Sequence, residues 1–202
     1  MTGTSRRRPQ EPSATAGHLR IIGGRWRGRK LRFTAAEGLR PTPDRVRETL
    51  FNWLATEIRD ARCLDLFSGS GALGLEALSR GAAHCDFVDK HPASIAQIQR
   101  HLEDLGAGAL GRCHTARASD FLAHADEPWD IVFIDPPFGQ ALVAPACELL
   151  TDRTLLAAGA CIYLETGTED TVPDLPAAWL LHRDKTAGAV SYRLYHFQTV
   201  VA

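Results

Sequence analysis

From Arg62 onward the chain alternates short apolar runs with segments whose apolar residues recur every three or four positions. The runs at 62–67, 84–89, 112–118, 130–135 and 159–166 predict strands, and 71–80, 92–105 and 141–151 predict helices. In the second of these helices Ile95, Ile98, Leu102 and Leu105 share one face. Strands alternating with helices imply an α/β protein with a mostly parallel sheet covered on both sides. The tail breaks the alternation: Trp179–His182 and Val190–Phe197 are strand-like and joined by a turn-rich stretch containing Gly188. They predict an antiparallel hairpin added to the sheet.

The front of the chain follows other rules. Residues 1–17 are polar and almost free of apolar side chains, which predicts a disordered leader with order starting near His18. Leu19–Ile22 and Arg29–Phe33 predict two short strands around the glycine-bounded connection from Gly23 to Gly28. In Arg40-Pro41-Thr42-Pro43-Asp44, Thr42 is expected to N-cap a helix, with Pro43 at its first position and Asp44 at its positive end. Val46, Leu50, Leu54 and Ile58, with Phe51 beside them, give that helix an apolar stripe. The expected organisation is a leader at 1–17, a basic hairpin and helix at 18–60, and the α/β domain at 61–202.

Charge sharpens this division. The net charge is only −1, yet residues 1–47 hold 12 basic against 3 acidic side chains, and residues 48–202 hold 11 against 21. The basic front is the expected contact for a polyanion. Arg25, Arg27 and Arg29 surround Trp26, an interleaving that suits RNA or single-stranded nucleic acid, where a ring stacks on bases and guanidiniums meet phosphates. The competing reading is that Trp26 merely packs on the body. Arg45 and Arg47 lie off the apolar stripe of the following helix and, with Arg40 just before it, are expected to extend the basic surface.

With 202 residues, 45% hydrophobic and 23% charged, the chain suits one substantial core. No stretch reaches the roughly 20 apolar residues of a membrane-spanning helix, and no apolar segment follows the charged N-terminus. The five cysteines are odd in number and widely spaced, as expected of small buried residues in a reducing cytoplasm. They and the eight histidines lack metal-ligand spacing, so no metal is expected.

Two constellations carry chemistry. Asp65-Leu66-Phe67-Ser68-Gly69-Ser70-Gly71-Ala72-Leu73-Gly74 sets G-x-G-x-x-G between a strand and its helix, so that backbone amides can approach a ligand at the helix start. Asp89 ends the next strand, placed for ribose hydroxyls, and Asp120 follows the third. Several acids without basic partners disfavour a pyrophosphate and tolerate a cationic sulfonium bearing an amino-acid tail. The second constellation is Asp135-Pro136-Pro137-Phe138, directly behind the apolar run Ile131–Ile134. Prolines lack amide protons and cannot continue a ladder, which frees the local carbonyls to accept hydrogen bonds. An acid, free carbonyls and an aromatic face together suit a flat base carrying an exocyclic amine.

These motifs, in this order, resemble the class I S-adenosylmethionine-dependent amino-methyltransferases. Arg20-Ile21-Ile22-Gly23-Gly24, the segment from Arg40 to Asn52, and Tyr192-Arg193-Leu194-Tyr195 narrow the resemblance to the bacterial 16S ribosomal RNA guanine-N2 methyltransferases acting on the small-subunit guanine at position 966. The resemblance runs from about residue 19 to 197. It implies a Rossmann-like, seven-stranded sheet whose last strand inserts antiparallel, with S-adenosylmethionine as cofactor. Asp65, Gly69, Ser70 and Gly71 would line its methionine end, Asp89 its ribose and Asp120 its adenine amine. Asp135, Pro136, Pro137 and Phe138 would hold the target guanine. The implied partner is 16S ribosomal RNA, within a small subunit or an assembly intermediate, and the implied location is the cytoplasm. Three alternatives stay open on the residues alone: a DNA adenine or cytosine amino-methyltransferase, a nicotinamide oxidoreductase, and a non-catalytic RNA-binding module.

Overall fold

The computed structural model describes residues 16–34, 42–170 and 172–198. The predicted leader therefore lies almost wholly outside the described residues. β1 (Ala16–Arg20) and β2 (Lys30–Thr34) pair antiparallel, joined through a short 3-10 turn at Gly24–Trp26. Helix α1 (Asp44–Trp53) follows. The body then alternates β3 (Arg62–Asp65), α2 (Ala72–Ser79), β4 (His84–Asp89), α3 (Pro92–Asp104), β5 (Gly111–Thr115), α4 (Ala118–His124), β6 (Trp129–Ile134), α5 (Val143–Asp152) and β7 (Leu156–Gly167). It closes with β8 (Trp179–Ala187) and β9 (Val190–Phe197).

Seven strands form one sheet in the order β5-β4-β3-β6-β7-β9-β8. β3 to β7 run parallel, and β9 lies antiparallel between β7 and β8, as the two-strand tail predicted. The chain winds outward from β3 in one direction and from β6 in the other. The topological switch point, where ligands of open α/β sheets bind, is therefore the C-terminal end of β3 and β6. Asp65 closes β3 and Asp135 follows β6.

Strict alternation along the strands supplies two cores. Cys63, Phe87, Ile131, Phe133, Cys161 and Tyr163 face α1, α2 and α3, while Leu64, Val88, Val132, Ile134, Ile162 and Leu164 face α4 and α5. Such two-sided burial is why these strands read as unbroken apolar runs. Leu19, Ile21, Leu31 and Phe33 of the hairpin belong to the first core, so the basic front shares its packing with the α/β body.

Three local expectations need correction. Helix α1 ends at Trp53, short of the Ile58 to which its apolar stripe extended. The predicted strand at 112–118 stops at Thr115, and Ala118–His124 forms a helix instead. Its seven residues bury Leu122 alone, too little to display a helical period. Thr42 does not cap α1: Pro43 occupies the cap position without a side-chain cap bond, and the Thr42 hydroxyl donates instead to Asp135. The carboxylate outcompetes the helix amides for that hydroxyl, since a charged acceptor makes the stronger bond.

Candidate active site

The glycine turn is built by its own backbone. Gly69 and Gly71 both adopt positive φ, at 49° and 77°, which L side chains rarely tolerate. The Gly71 amide donates to the Ser68 carbonyl at 2.6 Å, and the Ser68 hydroxyl donates to the Asp65 carbonyl at 2.7 Å. Two strand-end acids hold the turn from outside: Gly69 N–H donates to Asp89 Oδ2 and Gly74 N–H to Asp65 Oδ2, each at 2.9 Å. Gly74 serves packing. A Cβ there would come within 2.3 Å of Phe87 and 2.7 Å of the Cys85 sulfur, so α2 lies on β4 at a distance only glycine permits.

Asp65 and Asp135 end adjacent strands, and their charges interact. Burial pushes the Asp65 carboxyl up to about 7; the Gly74 amide opposes the rise, and Asp135 and Asp89 add to it. Burial likewise raises Asp135 to about 6, opposed by the Thr42 hydroxyl at 3.0 Å. A group carrying positive charge would relieve this crowding of acids, whereas a pyrophosphate would aggravate it. The residues present thus fit a sulfonium cofactor. Asp89 ends β4, its Oδ1 accepting from His91 N–H at 2.8 Å, and Asp120 lies exposed in the first turn of α4.

Beyond Asp135 the chain opens a cleft of about 280 Å³, lined by Pro136, Pro137, Phe138, Val143, Glu165 and Asp170, among others. Phe138 is 47% exposed, one of the large apolar side chains left in solvent among the described residues, so its ring is free to stack. Glu165, which sequence reasoning passed over, also lines the cleft and is only 3% exposed. Tyr163 donates its hydroxyl to Glu165 Oε2 at 2.7 Å; burial and the nearby Asp135 hold this carboxyl up at about 8. The signal for it was present: like Asp65, Asp89 and Asp135, Glu165 is an acid ending an apolar strand run.

The basic front divides into exposed and buried arginines. Arg25, Arg27, Arg29 and Arg45 are exposed, with the Arg25 guanidinium 4.1 Å from the centre of the Trp26 ring. Trp26 itself is half-buried against the first core, and its amide donates to Ser79 Oγ, so it packs as well as presents a face. Arg29 donates to the Asp104 carbonyl at 3.2 Å. Arg40 lies outside the described residues. Arg47, expected on the basic surface, is 1% exposed and is withdrawn from it. It bonds Asp44 at 2.6 Å and the Arg20 carbonyl at 2.8 Å, and lies 3.8 Å from the fully buried Glu76. Both bonds are made by Nη2, while Nε and Nη1 are buried without a hydrogen-bond partner, so Arg47 ties hairpin to body chiefly as a charge between Asp44 and Glu76.

A family model described as "Conserved hypothetical protein 95" matches residues 19–196. The chain belongs to this family. It is 53% identical over 180 residues to the Ribosomal RNA small subunit methyltransferase D of Escherichia coli strain K12, covering 89% of this chain and 90% of that one. Its identity to the protein of the same name from Haemophilus influenzae is 44% over 195 residues, covering 92% and 97%. A solved structure of the Escherichia coli protein yhhF superposes with a TM-score of 0.82 at 50% identity, covering 90% of this chain and 99% of that one. The hairpin, the glycine turn and the Asp135–Phe138 cleft all fall inside the span shared with the family. No helix among the described residues is long and apolar enough to cross a membrane.

Proposed function

We propose that this protein transfers a methyl group from S-adenosylmethionine to the exocyclic N2 amine of a guanine in 16S ribosomal RNA, with a small ribosomal subunit or assembly intermediate as substrate in the bacterial cytoplasm. The observation that carries the reading is the tetrapeptide at 135–138. It puts an acid, two proline-flanked carbonyls and an exposed ring at the switch point, beside the glycine turn and its acids. The names of the relatives, similar over nine-tenths of their length, support the substrate.

The bound cofactor supplies a methyl group on a cationic sulfur, an electrophile with its own leaving group. What the chain adds is position. The Gly69–Gly71 turn and Asp65 would hold the methionine end, Asp89 the ribose, and Asp120 the adenine amine. The guanine N2 lone pair is conjugated into the ring, which makes it a poor nucleophile. Asp135 Oδ1 and the Pro136 carbonyl accept its two N–H bonds, favour pyramidalisation and stabilise the positive charge developing on nitrogen as the nitrogen–methyl bond forms and the methyl–sulfur bond breaks with its electron pair left on sulfur; the surplus N2 proton then passes to Asp135 and on to solvent. A base can reach this pocket only out of its stack, and the Phe138 ring replaces the lost neighbour. Exposed Arg25, Arg27, Arg29 and Arg45, with Trp26, meet the RNA backbone.

The test is methyl transfer from labelled cofactor to unmodified small subunits, naked 16S RNA and duplex DNA, side by side, with Asp135→Ala as the inactive control. Label in the RNA of the subunit, at guanine N2 and dependent on Asp135, is the expected result. Preferred labelling of duplex DNA, or wild-type rates in the Ala variant, overturns it.

A further inference from the structure

We infer that Thr42 is a positioning residue for methyl transfer: its hydroxyl holds Oδ2 of Asp135 and leaves Oδ1 as the oxygen that meets the target amine. This rests on the role given to Asp135 above. The two residues are 93 positions apart, and the hydroxyl donates at 3.0 Å. Thr42 is 5% exposed, which is unusual for a polar residue just before a helix, and its hydroxyl does no capping there.

The surroundings of Asp135 explain why one hydroxyl matters. The ionisable groups interacting with it are Asp65 at the end of β3, and Glu165 and Tyr163 on β7. The two acids repel it, and the Tyr163 hydroxyl is given to Glu165. Among the described residues Thr42 is the one side chain that donates a hydrogen bond to the Asp135 carboxylate. A carboxylate turns easily about its terminal torsion, which has a broad, two-fold preference. Fixing one oxygen therefore sets the plane of the other, and an acceptor that must face two N–H bonds of a flat amine needs that plane defined. The hydroxyl also favours the ionised form, the stronger acceptor.

Thr42→Val, Thr42→Ser and Asp135→Ala are compared on unmodified small subunits, with cofactor binding and thermal melts as checks of folding. Thr42→Val is expected to lower kcat by about 10- to 100-fold, the range for losing a hydrogen bond to a charged group, with KM for the subunit changed less than about 2-fold. Thr42→Ser should restore most of the rate. The acid limb of the pH–rate profile should move to higher pH in Thr42→Val, because Asp135 then protonates more readily. In the Asp135→Ala background, Thr42→Val should cost nothing further. Should the Val variant not fold, Thr42→Ala deletes the same hydroxyl without added bulk and carries the same expectations. Wild-type kcat in either variant, an unmoved acid limb, no rescue by Ser, or an equal loss without Asp135 overturns the inference. Full activity in Asp135→Ala would instead overturn the proposed function itself.

Discussion

Glu76 is the buried carboxylate through which the basic front is tied to the body, and its removal should be among the costliest single changes in the protein. It is 0% exposed; it accepts the Ile22 amide at 2.9 Å and Arg80 Nε at 2.7 Å, and faces the buried Arg47 at 3.8 Å. Glu76→Ala strands a guanidinium whose remaining acidic partner, Asp44, is largely solvent-exposed, and it also orphans a backbone amide. Breaking a buried ion pair costs about 3–5 kcal/mol, and an unsatisfied amide about 1–3 kcal/mol; the two overlap here, so roughly 4 kcal/mol is expected. Alanine is the best helix former, so α2 itself loses nothing. At roughly 2–4 °C per kcal/mol for a chain of this size, the melting midpoint should fall by roughly 8–16 °C. Urea unfolding gives the free energy directly, and hydrogen exchange should show residues 18–33 opening before the body. Replacing both partners, Glu76→Leu with Arg47→Met, should recover much of the loss, because two apolar groups leave no stranded charge. A loss below about 1 kcal/mol for Glu76→Ala, or no recovery in the pair, would refute the reasoning.

Three further outcomes follow from the acids and the arginines. Asp65 stands at about 7, and in the proposed reading its ionised form holds the cationic methionine end, so cofactor affinity should rise between about pH 5.5 and 8 and then level off. Titrations should show the rise for S-adenosylmethionine and also for its thioether product, which keeps the same α-ammonium; Asp65→Asn should flatten it, and equal slopes in both proteins would count against the assignment. Glu165 is held at about 8, so the folded state binds its proton more tightly than the unfolded chain does. Its contribution to stability is present at low pH and is lost as pH rises from the ordinary carboxyl range through about 8. Urea unfolding at pH 5, 7 and 9 should show Glu165→Gln gaining relative to wild type toward pH 9; parallel profiles would sink the claim. Arg25→Ala with Arg27→Ala should weaken RNA binding and reduce the salt slope of log affinity by about 1 to 2, without changing the melting midpoint. An unchanged slope would remove the hairpin tip from the RNA contact.

How much of this was legible depends on which period a residue obeys. Strands buried on both faces spell continuous apolar runs, so β3, β4, β6 and β7 stand out, and an acid ending such a run is conspicuous against it. Asp65, Asp89 and Asp135 were found that way, and Glu165 could have been. Helix α4 was not legible because two turns that bury Leu122 alone repeat nothing. A strand pattern simply ran on past Thr115.

Arg47 and Thr42 failed for a different reason. Each was read by its local rule, an arginine off the apolar stripe going to solvent and a threonine before a helix becoming a cap, and each was claimed by a residue far along the chain. Arg47 is drawn inward by Glu76, Asp44 and the Arg20 carbonyl. Thr42 is drawn by Asp135, 93 residues away. In both cases an acid distant in sequence helps draw the side chain inward, Glu76 for Arg47 beside its local partner Asp44 and the half-buried Asp135 for Thr42, since a charged acceptor shielded from water gains more from a donor than solvent or a helix amide can offer. Patterning therefore locates the acids of this fold, and the acids decide where nearby polar side chains go. That order of cause makes Thr42 informative: a local preference is overridden at the residue whose hydroxyl reaches the carboxylate on which the proposed chemistry depends.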